Sequence, residues 1–149
     1  MREAIRLALD SARRGGGPFG AVVVRHEEIV GRGANQVTTS NDPTAHAEVI
    51  ALRDACQRLQ TFRLEDCELY ASCEPCPMCL AAAYWARIKR ILYAGTRADA
   101  AEIGFDDERI YRELARPLNE RSLEMRQLLR EEALAAFVQW RDQPDKTPY

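Results

Sequence analysis

Three of the five cysteines in this chain fall within seven residues, at 73, 76 and 79, and no other feature constrains the fold as sharply. The remaining two, Cys56 and Cys67, lie inside a helical and a strand pattern. An odd count, no apolar leader after Met1-Arg2-Glu3 and cysteines inside regular elements argue against a disulfide framework. In a reducing compartment such a cluster marks a metal or redox site. The two histidines, His26 and His46, limit any metal site to at most two imidazoles.

At 149 residues the chain is one ordinary domain, able to bury ~68–70% of its unfolded surface without outside help. Lys and Arg number 21 against 23 Asp and Glu, a net −2, which disfavours a chain held mainly by nucleic-acid phosphates. No apolar run approaches the ~18 residues of a membrane span, so a cytoplasmic protein with no membrane partner is expected. Helical spacing is read over 2–13, then a glycine-rich stop at 15–20, and a hairpin pairing 21–24 with 29–30. A polar loop at 37–43 precedes a helix over 45–59. Strands at 67–72 and 90–94 flank a helix at 77–87. Helical segments at 98–103 and 107–115, a strand at 122–128 and a last helix at 130–143 complete the reading. Alternation of strands with helices implies an α/β layer fold with some parallel pairing.

Two segments carry chemistry: Thr44-Ala45-His46-Ala47-Glu48 and Cys73-Glu74-Pro75-Cys76-Pro77-Met78-Cys79. A catalytic zinc takes three protein ligands and a water, and His46 with two thiolates makes three. Cys76 and Cys79, three apart, share one side of a first helical turn. Pro77 suits the start of that helix, where its missing N–H is no loss. A helix N-terminus also favours the thiolate that binds metal. His46 and Glu48 lie ~200° apart on a helix, so they converge only if the helix aims its tip at the ion. Pro43 ahead of them suggests that His46 is at that tip.

H-x-E followed by P-C-x-x-C is the pattern of zinc deaminases, in which the Glu moves protons and is not a ligand. His46, Glu48, Pro75, Cys76 and Cys79 supply all five elements. Cys73 also forms a C-x-x-C with Cys76, and Pro75 is what selects the later pair. A redox C-x-x-C is the competing reading. A structural zinc would need a fourth ligand, from His26 or Cys73. Otherwise His26 reads as a solvated turn residue, and Cys56 and Cys67 as core thiols.

With these residues in place, the chain resembles the cytidine-deaminase superfamily, and within it the small bacterial zinc guanine deaminases. The likeness runs through Gly17-Pro18-Phe19-Gly20-Ala21-Val22, the segment Asn41 to Glu48, and Ser72 to Cys79. It continues in Tyr84-Trp85-Ala86-Arg87, Gly104-Phe105-Asp106-Asp107 with Ile110-Tyr111, and a tail ending in Tyr149. The resemblance implies a three-layer α/β/α sandwich around a five-stranded mixed sheet. It implies one zinc held by His46, Cys76 and Cys79, with Glu48 as the proton shuttle. It also implies that Asn35 hydrogen-bonds the purine, that Phe19, Trp85 and Ala47 line the pocket, and that Asp107 is a second acid. Residues 1–143 would form the deaminase domain, and 144–149 an arm crossing to a homodimeric partner, bringing Tyr149 to its pocket. Set against these, Phe19 and Trp85 also fit core packing, Asp107 a helix cap, and Tyr149 a frayed end.

The reaction implied is guanine plus water to xanthine plus ammonia, with Glu48 moving a proton from water to the ring. Zinc lowers the pKa of its water toward ~7, and general acid–base transfer supplies the rest. Three rivals remain: a tRNA adenosine deaminase, which would need a basic surface and an open pocket, another small nucleobase, nucleoside or triazine deaminase, and a silent zinc-binding subunit. Arg87, Lys89, Arg90 and Arg97 would make at most a small patch. Glu48 has no use in a silent subunit.

Overall fold

The computed structural model describes all 149 residues. Helix α1 (Arg2–Arg13) leads into strands β1 (Gly20–Arg25) and β2 (Glu28–Ala34). A single helical turn, α2 (Val37–Ser40), lies within the loop expected at 37–43, and α3 (Ala47–Leu59) follows. Strand β3 (Cys67–Cys73), helix α4 (Pro77–Trp85) and strand β4 (Arg90–Gly95) form a β–α–β unit. Short helices α5 (Arg97–Glu102) and α6 (Glu108–Ala115), a 3₁₀ turn at Leu118–Glu120 and α7 (Arg130–Asp142) end the chain. No helix is long and apolar enough to cross a membrane.

The sheet is mixed, in the order β2-β1-β3-β4, with β1 antiparallel to both neighbours and β3 parallel to β4. It has four strands where five are expected. Residues 122–128 form no ladder and stand exposed. Their alternating Leu123 and Met125 mimic a half-buried strand, but alternation supplies side chains and not a neighbouring backbone to pair with. The β1–β2 turn is closed by His26 and Glu27, with φ of 48° and 67°, the left-handed pair that a two-residue hairpin matching strand twist demands. His26 is thus an exposed turn residue.

Register shows which helix covers which face. Ala21 pairs with Gly33 and Ala71, and Val23 with Gly31 and Leu69, so these side chains share one face. A Cβ on Gly33 would overlap the Ala47 carbonyl, and one on Gly31 the Ala51 carbonyl, which places α3 directly on that face. Ala83 and Ala86, at the C-terminal end of α4 and just beyond it, join the same core with Leu52, Leu64 and Cys67. Gly20, offset by one residue, faces the other way and meets Leu7 and Ala8 of α1. The result is a three-layer α/β/α arrangement, with α1 on one face and α3 and α4 on the other.

The same contacts fix direction. Gly33, at the end of β2, touches the first turn of α3, so α3 begins at the edge where β2 ends. The antiparallel and parallel pairings put the C-terminal ends of β3 and β4 at that edge as well. Helix α4 starts there directly after β3. Both helices therefore aim their N-terminal, partially positive ends at one rim of the sheet.

The chain divides into two compact units, Met1–Glu108 and Arg109–Tyr149. The sheet and all buried residues belong to the first. The second contains most of α6, the 3₁₀ turn and α7.

Candidate metal centre

His46 is the N-cap of α3, with extended backbone (φ −70°, ψ 151°), and Cys76 is the N-cap of α4 (φ −64°, ψ 168°). Pro77 occupies the first turn of α4, as its missing N–H allows. Neither N-cap side chain caps its own helix; both turn forward into the shared rim. His46 Nδ1 lies 3.5 Å from Cys76 Sγ and 3.5 Å from Cys79 Sγ. All three donor atoms lie within 4.8 Å of one another. A tetrahedral zinc with Zn–S ~2.3 Å and Zn–N ~2.0–2.1 Å sets nitrogen about 3.5 Å from each sulfur, so the donor set fits that ion.

The charges fit as well. A hydrogen bond from the Cys79 thiol, aided by His46 and opposed by burial, pushes Cys76 down to about 4. The same bond, together with burial and Glu48, pushes Cys79 up. A divalent cation bound between them would displace the proton that Cys79 keeps. His46 is raised by its contact with the Cys76 sulfur.

Glu48, in the first turn of α3, is 6% exposed, and its Oε2 lies 3.4 Å from Cys79 Sγ. Burial raises this carboxyl above its ordinary range. It stands beside His46, Cys76 and Cys79 without belonging to their group. Cys73 is set apart: its thiol donates to the Thr96 carbonyl at 3.4 Å, and it is not in the cluster. His26, on the hairpin turn, is not in it either, so no fourth protein ligand is brought to the other three.

Asn35 is 7% exposed at the end of β2, and the N–H of Gln36 next to it donates to the Ala45 carbonyl at 3.0 Å, beside His46. Phe19 is joined to this rim by the Asn35 N–H, which donates to its carbonyl at 3.0 Å. The ring of Phe105 packs edge-on against Phe19 with centroids 4.9 Å apart. The sequence reading holds Phe105 only as part of Gly104-Phe105-Asp106-Asp107, without a pocket role, because one aromatic beside a glycine has no spacing that reports a partner. Ala47 is fully buried with its carbonyl against Gly33, and it belongs to the first turn of α3, whose N–H groups lack intrahelical acceptors. Asp107 is half-buried, and burial, followed by the charge of Cys76, raises its carboxyl. The cap-like bond at the head of α6 is made by Asp106, whose Oδ1 accepts the Glu108 N–H at 2.9 Å. Trp85 ends α4, about 9 Å along the axis from Cys79, and is 66% exposed. Tyr149 is 74% exposed in the second unit.

Residues 1–95 match the family model of the cytidine and deoxycytidylate deaminase zinc-binding region. The chain belongs to that zinc-binding deaminase family. The likeness to one relative extends well past the zinc half of this deaminase. It is 51% identical over 150 residues to guanine deaminase of Bacillus subtilis (strain 168), covering 100% of this chain and 96% of that protein. The X-ray structure of guanine deaminase from Bacillus subtilis superposes with a TM-score of 0.95 at 52% identity, covering 99% of this chain and 95% of that one. A tRNA-specific adenosine deaminase of Aquifex aeolicus (strain VF5) is 42% identical over 94 residues, 63% of this chain and 62% of that protein.

Proposed function

We propose that this deaminase converts guanine and water to xanthine and ammonia, with zinc at His46, Cys76 and Cys79. The observation that carries guanine over other amino-bearing bases is likeness sustained over the whole chain, residues 96–149 included, beyond the half that the zinc family shares. Zinc, when bound, supplies the Lewis acidity that makes water a nucleophile near neutral pH. Glu48 Oε2 accepts the proton of the attacking water and passes it to ring N3 as the C2–O bond forms. Glu48 then takes the proton of the new C2 hydroxyl and, with Asp107, passes it to the amino group, so that the C2–N bond breaks and ammonia leaves as the C2 carbonyl forms. Asn35 donates from its carboxamide to the base. Phe19, with Phe105 edge-on against it, forms an apolar wall, and the N–H groups at the α3 tip, that of Ala47 among them, polarise the rim.

The working form is a cytoplasmic homodimer. Residues 144–149, with Pro144 and Pro148 favouring extended chain, form an arm that reaches the partner's pocket and brings Tyr149 to it. Trp85, exposed beside Tyr84 on α4, lines that pocket in the dimer. The support is the surface itself: Tyr84 is 77% exposed, and no residue of 109–149 is buried.

Ammonia release from guanine, guanosine, cytosine, adenine, a diaminotriazine and a tRNA anticodon stem-loop tests the reading, with Glu48→Gln alongside. Guanine should lead the series, and the zinc-loaded variant should lose about 10²–10⁴-fold in turnover. Preference for the stem-loop would make the chain a tRNA deaminase. Near-normal turnover in Glu48→Gln would assign the proton shuttle elsewhere.

A further inference from the structure

Ser11 lies in line with Ala4 and Ala8 on the buried stripe of α1 and is 3% exposed. A hydroxyl in that position needs a partner, and its Oγ donates to the Asn35 carbonyl at 2.9 Å. Three further hydrogen bonds hold Asn35. Its N–H donates to the Phe19 carbonyl at 3.0 Å, while its Oδ1 accepts from the Gly17 N–H at 3.3 Å and the Val37 N–H at 3.2 Å. An amide oxygen facing two N–H groups fixes the orientation of the carboxamide, because a flip would set its NH₂ against two donors. The backbone of residues 16 and 17 closes around this arrangement. A Cβ on Gly16 would stand 2.5 Å from Ser11 Oγ, and one on Gly17 would stand 3.0 Å from Asn35 Cγ.

We infer that Ser11 and Gly17 are positioning residues for base recognition: together they hold the Asn35 carboxamide so that it presents only its NH₂, selecting a ring with an acceptor at that point. The inference rests on the reading of Asn35 as a contact of the base. Neither residue touches the base. Ser11 anchors the backbone from which the carboxamide extends, and Gly17 both binds its oxygen and leaves the space it occupies. A ring that offers an N–H at that point meets a donor that cannot turn.

The test is steady-state kinetics on guanine with full-length, zinc-loaded Ser11→Ala, Gly17→Ala, Asn35→Ala and the doubles Ser11→Ala/Asn35→Ala and Gly17→Ala/Asn35→Ala, with Tm measured for each. Ser11→Ala and Gly17→Ala should each raise KM about three- to tenfold, the size of one neutral hydrogen bond, with kcat within about twofold. In the Asn35→Ala background neither should raise KM further, whereas the loss of Tm from Ser11→Ala should persist, since its backbone partner remains. Gly17→Ala approaches the same side chain by crowding it, so the cycle stands if Ser11→Ala folds poorly. A lowered Tm with unchanged KM in both single variants would make them structural residues and overturn the inference. So would KM effects of full size in the Asn35→Ala background. If Asn35→Ala itself keeps the parental KM, the reading of Asn35 fails, and the inference falls with it. If only Ser11→Ala and Gly17→Ala keep it, that reading stands and the inference alone is lost.

Discussion

The units Met1–Glu108 and Arg109–Tyr149 are built on different terms. Every buried residue, from Ala4 to Ala100, lies in the first, while α6 and α7 bury nothing. In the first unit, small residues let elements approach closely, and apolar side chains such as Val23 and Leu69 are fully enclosed. In the second, Leu123, Leu128 and Phe137 are 75%, 79% and 69% exposed. Its cohesion is polar and local: Glu113 Oε2 accepts from the N–H and hydroxyl of Ser122 at 2.6 and 3.0 Å, and Arg121 donates to the carbonyls of Leu114 and Arg116. An amphipathic pattern tells that an element has an apolar face; it does not tell what covers that face. The first unit covers both faces of its sheet with its own helices. The second has no interior to close on.

The largest expected effect separates the units by metal. Cys76→Ser should lose bound zinc and all turnover, whereas Cys73→Ser should keep both, read by metal analysis of the purified variants. Zinc retained in Cys76→Ser and lost in Cys73→Ser would move the site to the other C-x-x-C. Next comes deletion of residues 144–149, which should cut guanine turnover by about 10²-fold, with zinc content and Tm nearly unchanged. A truncated protein as active as the full chain would leave the second unit without a part in the reaction.

A third pair of variants tests the packing contrast itself. Leu69→Ala, in the enclosed core, should destabilise by about 2–5 kcal/mol, and Leu123→Ala by no more than about 0.5 kcal/mol in dilute solution. If denaturant melts show Leu123→Ala matching Leu69→Ala, and more so as protein concentration rises, the exposed face is covered by a second copy.

The smallest effect is a pH dependence confined to the first unit. Burial, with the neighbouring Asp66 carboxylate, pushes the Cys67 thiol up from 9.0 to about 11. Between those values the unfolded chain releases a proton that the folded chain retains. Stability is therefore intact below pH 9 and falls as pH rises toward 11, by at most about 3 kcal/mol. Cys67→Ala should flatten the alkaline limb of a Tm-against-pH curve. An unchanged limb would place the alkaline weakness elsewhere.

The contrast also explains what the sequence could and could not disclose. His46, Cys76 and Cys79 were legible because metal chemistry demands residue types at fixed spacings, and Pro77 marked the helix start that converges them. The α1, α3 and α4 helices and the four strands were legible because each closes on a partner within its own unit. Residues 122–128 misled because alternation without a paired backbone reads like a strand. The single turn at Val37–Ser40 is too short to carry a period. Ser11 left a usable trace, a hydroxyl at the third position of an otherwise alanine stripe. That its partner is Asn35, 24 residues away, is a property of the fold alone.

The two helix tips at the rim have a further consequence. Ser, Thr, Asp or Asn at an N-cap stabilises a helix by ~0.5–2 kcal/mol relative to residues that make no such bond. His46 and Cys76 occupy those positions and cap nothing. The metal-free chain gives up that stabilisation at both tips, and a zinc held by His46 and Cys76 in the folded state would return it, so stability should depend on metal more than on helix capping.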